Sequence, residues 1–399
     1  MIGDNNIPKG WVETTLGEVC LIGSSKRSFF CDYVEDCVPF YRSKEIIEKQ
    51  KGESVSTSLF ITEKKFNEIE EKFGAPKYND LLITSVGTLG VPYIVQENER
   101  FYFKDGNLTW FRNYDGINPV FLYNWFLSSI GKESLKQITI GSTQSALTIT
   151  GLKSIPILLP PLPEQQAIAT ILTSFDDKIE LLQAQNKTLE TIAQTIFKEW
   201  FGKYQVGDEL PKGWRVGKLG EEFDITMGQS PPGKSYNTDN NGTVFFQGRA
   251  EFTNRFPEVR LYTTEPKRMS DKFDVLVSVR APVGDINVAL DKCCIGRGLA
   301  AVSSIYKSYC LYKLKLLKPI FDLFESEGTV FGSINKTSFS NIKIIIPTDL
   351  YVIELDSILS TLDTKIYNNY LQIQTLQQTR DTLLPKLMSG KLRVEEFRE

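Results

Sequence analysis

The 399-residue chain has no histidine at all. That absence removes Ser-His-Asp and Cys-His nucleophiles and histidine-ligated metals together, so any catalysis must rest on carboxylates, lysine or tyrosine. The six cysteines (Cys20, Cys31, Cys37, Cys293, Cys294 and Cys310) form no CxxC pair. This excludes the usual zinc spacings and, without a secretion signal, predicts reduced thiols. No basic segment leads into an apolar run after Met1, and no stretch of about 18 uninterrupted apolar residues occurs. Neither a signal peptide nor a membrane span is expected, and the reading is cytoplasmic. Low-complexity tracts are missing too. Acidic residues outnumber basic ones, 49 to 46, for a net charge of −3. A uniformly basic surface is excluded, whereas a local groove of Lys and Arg is not.

What is present is a repeat of about half the chain. Pro8-Lys9-Gly10-Trp11 returns 203 positions on as Pro211-Lys212-Gly213-Trp214, and Leu16-Gly17-Glu18 returns as Leu219-Gly220-Glu221. Leu152 to Phe201 returns 187 positions on as Phe339 to Met388, so the second half is 203 − 187 = 16 residues shorter between its landmarks. Two alike halves predict two alike modules, able to grip two places on one extended target. The length and the composition, 41% hydrophobic and 24% charged, suit two to three soluble globular domains.

The repeat divides the chain into mixed α/β segments over about 1–150 and 204–342 and helical segments over about 156–203 and 348–392. In the first helical segment Ile168, Leu172, Phe175, Ile179, Leu182, Asn186, Leu189, Ala193, Ile196 and Trp200 alternate in steps of 4 and 3. Leu355, Leu359, Leu362, Ile366, Asn369, Ile373, Leu376, Arg380, Leu383 and Leu387 do the same in the second. A 4-3 alternation is a heptad seam, and the two helices are expected to pair antiparallel through it. Asn186 and Asn369 are either tolerated polar residues or register-setting ones. Pro160 to Pro163 forbids helix before that point, Gly202 and Gly390 end the two helices, and Pro385 is expected to kink or weaken the second. Roughly 38 residues at about 1.5 Å each make a rod of about 57 Å, with the modules expected at its ends.

Within the globular segments, Asp80 to Gly87 and Asp274 to Arg280 read as matching buried strands that run into glycine turns. Ile295 to Val302 reads as a glycine-broken strand. Pro119 to Ile130 and Tyr309 to Phe324 read as single helices. Catalytic motifs fail one after another. Ser230-Pro231-Pro232-Gly233 lacks the aromatic ring that an amino-methyltransferase stacks on its target base. Gly87-Thr88-Leu89-Gly90 lacks the Gly-Lys-Ser/Thr ending of a phosphate loop. Glu63, Lys64, Lys65 and Asp80 read as solvated charge rather than a nuclease centre.

Three groups of polar loop residues survive, one member of each in each half. Gly23 to Arg27, with Lys26 and Arg27, is set against Gly228 to Lys234. Phe40 to Lys44, with Arg42 and Lys44, is set against Phe246 to Arg249, with Gln247 and Arg249. Gly141 to Gln144, with Ser142 and Gln144, is set against Gly332 to Lys336, with Asn335 and Lys336. Arg280 and Arg297 at the glycine turns complete the set. Arg and Lys suit phosphates and guanine edges, and Gln and Asn suit adenine edges, so the set reads as DNA-contacting.

Pro160-Pro161-Leu162-Pro163-Glu164-Gln165-Gln166-Ala167-Ile168-Ala169 resembles the central conserved region of type I restriction–modification specificity (S) subunits. The resemblance takes in the Pro-Lys-Gly-Trp repeats, the long helices and Leu384 to Leu392, and so covers essentially the whole chain. The second half departs from the pattern at Pro347-Thr348-Asp349-Leu350-Tyr351. The resemblance implies a mixed α/β fold with a pseudo-twofold repeat: target-recognition domains at 1–150 and 206–342, and spacer helices at 151–205 and 343–399. It implies a non-catalytic subunit in which each recognition domain reads half of a split DNA site and the helix pair sets the spacer. Partners would be two methyltransferase (M) subunits and translocating restriction (R) subunits, which would carry S-adenosylmethionine, ATP and magnesium; this chain would bind no cofactor. Two other readings remain open at this stage: a fragment of a solo modification or restriction enzyme, and a coiled-coil scaffold without DNA.

Overall fold

The computed structural model describes residues 7–29, 32–140, 145–326 and 332–394. It separates into two compact units, Met1–Glu180 with Ile373–Glu399, and Leu181–Gln372. Each unit holds one globular segment and a stretch of each long helix, Leu162–Phe201 and Asp349–Met388.

The strands of the first unit are β1 (Val12–Thr15), β2 (Leu21–Gly23), β3 (Tyr33–Val34), β4 (Val38–Tyr41), β5 (Phe60–Ile61), β6 (Leu81–Thr84), β7 (Pro92–Ile94), β8 (Tyr102–Phe103), β9 (Leu108–Arg112) and β10 (Pro156–Leu159). They make two four-stranded sheets, β2-β9-β6-β7 and β3-β5-β4-β8, and the antiparallel pair β1-β10. The second unit contains β11 (Arg215–Lys218), β12 (Asp224–Met227), β13 (Tyr236–Asn237), β14 (Thr243–Phe246), β15 (Leu261–Thr263), β16 (Met269–Ser270), β17 (Val275–Ser278), β18 (Ile286–Val288), β19 (Cys293–Ile295), β20 (Leu299–Ser303) and β21 (Lys343–Ile346). Its sheets are β12-β20-β17-β18, β13-β15-β14-β19-β16 and the pair β11-β21. The strand orders match, except that β16 has no counterpart in the first unit.

Period-2 burial explains the central strands. Leu81 and Ile83 enter one core while Leu82 enters another. Val275 and Val277 likewise face one core and Leu276 a second. A strand covered on both faces is expected to be a near-continuous apolar run, as Leu81–Ile83 and Val275–Val277 are, with the buried hydroxyls Thr84 and Ser278 at their ends.

In each unit the two long helices run antiparallel. In the first unit Asp176 pairs with Arg380 at 2.5 Å and Glu164 pairs with Arg393. In the second, Asn369 Nδ2 donates to Asn186 Oδ1 at 2.9 Å, and Trp200 packs on Tyr351. Ile168, Leu172, Ile179, Leu182, Leu355, Leu359, Ile366, Asn369 and Ile373 are buried, and Phe175, Asn186, Leu189, Leu362 and Leu376 are half-buried. The polar pair is therefore enclosed in the second unit, where an amide that lost its partner would stay desolvated.

The structure corrects several boundaries. Residues 156–159 and 343–346 are strands, because their carbonyls and amides pair with the strands that follow the two Pro-Lys-Gly-Trp motifs. Pro119 to Ile130 belongs to two helices, Pro119–Leu127 and Ser129–Ile138, divided where Ser128 turns extended and caps the second by accepting from Gly131 N. Tyr309 to Phe324 likewise falls in Lys307–Leu316 and Lys318–Ser326, parted at Leu317. Ile295 to Val302 lies in β19 and β20, which belong to different sheets. Pro385, expected to kink or weaken the second long helix, lies inside it; the helix continues to Met388, and Leu384, Leu387 and Met388 are buried in the core of the first unit. That burial outweighs the hydrogen bond that proline forfeits.

The recognisable proline-rich motif is a structural latch. Gln165 is fully buried; its Oε1 accepts from Asn118 N, and its Nε2 donates to the carbonyls of Gly116 and Pro160. Glu164 accepts from Trp11 Nε1 and from Arg393. The second unit replaces this latch with a ring cluster of Phe201, Trp214 and Tyr351, which explains why the motif is absent there.

Candidate nucleic-acid interface

Strand register brings the polar loops of the second unit to one end of its sheets. β12 leads into Gly228, whose N–H donates to Leu299 O, and Gln229 N donates to Ile295 O. β14 leads into Gln247, and Gly296 N donates to Phe246 O. β17 leads into Val279-Arg280, and Val279 N donates to Gly298 O. Residues 332–334 are stitched alongside, through Ala281 N to Gly332 O, Ile334 N to Val279 O and the bridge between Arg280 and Ser333. Close backbone approach fixes the glycines. A Cβ on Gly296 would stand 2.7 Å from Gln247 O, and one on Gly228 would stand 2.1 Å from Gly296 O. Gln247, Arg249, Arg280, Arg297, Asn335, Lys336 and Lys234 are all exposed there or on the adjoining loops.

These side chains are not equally available. Arg249 forms an ion pair with Asp285. Asn335 Oδ1 accepts from Ser338 N at 2.9 Å and caps the helix Lys336–Ser340, leaving its NH2 group to donate elsewhere. Arg297 donates its backbone N–H to Ser230 Oγ at 3.2 Å.

The first unit builds the same platform from different letters. Ser43 Oγ donates to Asn107 O at 3.2 Å, Ser85 N donates to Asn107 O and Leu147 N donates to Ser85 O. Lys26 donates its N–H to Tyr102 Oη, and its ammonium lies 4.6 Å from the Phe73 ring centre. Arg27 is exposed beside Phe29. Lys44 is exposed and pairs loosely with Glu48 at 3.6 Å. Arg42 is half-buried and held by Glu45 at 2.7 Å. Burial opposes ionisation of Glu45, yet Arg42 outweighs it and holds the carboxyl below its ordinary range. Arg42 therefore fixes the helix Ser43–Gln50. Ser142 and Gln144 lie outside the described residues.

Register also corrects the pairing of the loops between halves. Tyr41 corresponds to Phe246, since each accepts from the residue after the parallel strand beside it, so Arg42 stands where Gln247 stands. The bridges of Val86 to Ala146 and of Arg280 to Ser333 make Ser145 to Ile149, not Gly141 to Gln144, the counterpart of Gly332 to Lys336. Sequence reasoning missed two platform residues, Lys104 after β8 and Arg268 before β16, and placed Gln229 in a loop group without singling it out. Lys104 was findable, because Lys104 to Asn107 occupies the place of the Gly296 to Gly298 turn. Arg268 was not, because only the pairing of β16 with β19 carries it there.

Among the described residues, no group of three or more Cys, Asp or Glu is placed to hold a metal ion, and no helix is long and apolar enough to cross a membrane. The family model for the type I restriction modification DNA specificity domain matches twice, at residues 8–191 and 211–377. The chain belongs to this family. It is a specificity subunit, a DNA-recognition protein rather than a methyltransferase or a nuclease. A Methanocaldococcus jannaschii protein provisionally assigned as the MjaX type I restriction enzyme specificity subunit is 34% identical over 79% of both chains. The MjaIX specificity subunit of the same organism is 29% identical over 98% of this chain and 95% of its own. A crystal structure of a type I restriction-modification S subunit from M. genitalium has the same fold, with a TM-score of 0.62, 18% identity, and coverage of 97% of this chain and 98% of that one.

Proposed function

We propose that each unit reads one half of a split DNA site through its loop platform, and that the paired helices set the spacing between the halves. The observation that carries this is the repeated platform: five loops in each unit converge by equivalent strand register, and their exposed side chains are those that recognise phosphates and base edges. Lys26, Arg27, Lys44, Gln247, Arg249, Arg280, Arg297, Asn335, Lys336 and Lys234 are the proposed contacts, with Arg42 acting through the helix it fixes. Ser142 and Gln144 remain proposed contacts on sequence grounds. Each long helix has 40 residues, so at about 1.5 Å per residue a helix runs about 60 Å. That length matches about 18 base pairs at about 3.4 Å each.

Recognition domains over 1–150 and 206–342, with spacer segments over 151–205 and 343–399, fit this division of labour. The subunit works in the cytoplasm with two methyltransferase subunits and with restriction subunits. S-adenosylmethionine, ATP and magnesium are used by those partners.

Mapping methylated adenines or cytosines in DNA treated with the chain and its methyltransferase subunits tests the proposal. A motif in two parts with a constant gap is expected. Matched insertions of four residues after Thr188 and after Ile366 should lengthen the gap and leave both half-sites unchanged. Altered half-sites at a constant gap would refute the spacer role.

A further inference from the structure

We propose that the second unit is a guanine reader and the first is not, through Arg268, Arg280 and Arg297; this rests on the split-site reading above. All three arginines are exposed at the platform end of the sheets. Among the described residues none has an ion-pair or hydrogen-bond partner for its guanidinium, unlike Arg249 and Arg42, which hold Asp285 and Glu45.

Arg297 is the best placed. Leu299 N donates to Gly296 O at 3.0 Å, closing a four-residue turn with Arg297 at its tip. The flanking glycines rest against the backbone of Gln247, where a Cβ on Gly298 would stand 3.1 Å from its carbonyl oxygen. The backbone of Arg297 is thus held in place before DNA arrives, and only the side chain need be ordered. Arg268 O accepts from Ile295 N at 2.9 Å, which sets Arg268 beside the strand that leads into this turn. A fixed guanidinium fork with no internal acceptor matches the paired O6 and N7 acceptors of guanine in the major groove.

The first unit lacks all three. Val86 stands in the register position of Arg280. Lys104-Asp105-Gly106-Asn107 replaces the arginine turn, and no strand corresponds to β16. Its platform offers Lys26, Lys44 and Lys104, whose ammonium groups are point charges suited to phosphates, and Arg27, whose guanidinium stands 5.6 Å from the Phe29 ring centre rather than at the tip of a glycine-flanked turn.

The test uses the chain assembled with its methyltransferase subunits, on a plasmid library in which both half-sites are randomised, with gel-shift titration across salt in parallel. The wild-type complex is expected to select guanine on one strand or the other in a single half-site. R297A should relax one of those positions, cutting discrimination by about 5- to 150-fold while the other half-site is unchanged. R297K should relax it nearly as far, because it keeps the charge and loses the fork. Relaxation creates new methylated sites, so it cannot be mistaken for misfolding; if R297A abolishes methylation, R297K and the binding titration decide. R268A and R280A should relax neighbouring positions of the same half-site. Equal weakening on every sequence with a salt slope reduced by about 1 would make Arg297 a phosphate contact and overturn the inference. Full rescue by R297K would do the same. A wild-type complex with no split motif would instead sink the reading beneath it.

Discussion

Replacing Arg255 with methionine isolates the charge network that joins the globular part of the second unit to both helices. Arg255 is buried. Its Nη1 reaches Glu190 Oε2 at 2.5 Å and its Nη2 reaches Asp363 Oδ1 at 2.6 Å. Lys315 also pairs with Glu190, and the Tyr312 hydroxyl donates to Asp363 at 2.7 Å. Removing one partner of a buried pair costs about 3–5 kcal/mol, mostly because the other charge stays desolvated. Here Glu190 keeps Lys315 and Asp363 keeps Tyr312, so the lower figure applies, about 3 kcal/mol. At about 2–4 °C per kcal/mol for a body of this size, the unfolding midpoint of the second unit should fall by about 6–12 °C. Hydrogen exchange of the β17 amides reports on this unit alone and avoids assuming one transition for the whole chain. Burial opposes ionisation of Glu190, yet Arg255 and Lys315 hold its carboxyl below the ordinary range. The stability it contributes is therefore present above that range and is lost as pH falls through the folded value. Arg255→Met should flatten this acid dependence. Stability within about 0.5 kcal/mol of the parent, or strict additivity with Asp363→Asn in a double-mutant cycle, would refute the reasoning.

Other expected outcomes follow from single contacts. Gln165→Leu leaves Asn118 N and the Gly116 and Pro160 carbonyls unpaired in a buried site, and should cost about 3 kcal/mol in urea unfolding of the first unit. Gly296→Val drives a side chain into the backbone of Gln247; about 1–3 kcal/mol of strain at the platform should weaken DNA binding by gel shift while far-UV circular dichroism is unchanged. Asn186→Leu with Asn369→Leu should raise the melting midpoint and loosen the helix register, read as heterogeneous spacers in methylation mapping. Burial pulls the Lys313 ammonium down to about 8 from 10.5. The unfolded chain holds this proton more tightly, so the second unit should gain stability as pH rises from about 8 to about 9.5, and Lys313→Met should remove that slope.

Much of the architecture was legible because repetition and periodicity are one-dimensional signals. The 203- and 187-residue offsets announce two units, and the 4-3 spacing from Ile168 to Trp200 and from Leu355 to Leu387 announces two long helices, before any contact is known. The loop residues were legible as types but not as equivalents. Matching letters set Gly23 against Gly228, whereas β2 and β12 pair with β9 and β20 so that Lys26 stands where Gln229 stands. Helix interruptions at Ser128 and Leu317 were hidden, because apolar periodicity runs through both.

The sequence by itself determined that this chain carries two related modules and two heptad seams and has no histidine chemistry, because those properties depend only on which residues occur and how far apart. Tertiary structure alone decided which loops share a platform, which arginines are spent on Glu45 and Asp285, and why Gln165 must be glutamine. Those outcomes depend on strand register and on which buried polar groups find partners, and both are set by contacts between residues far apart in the chain.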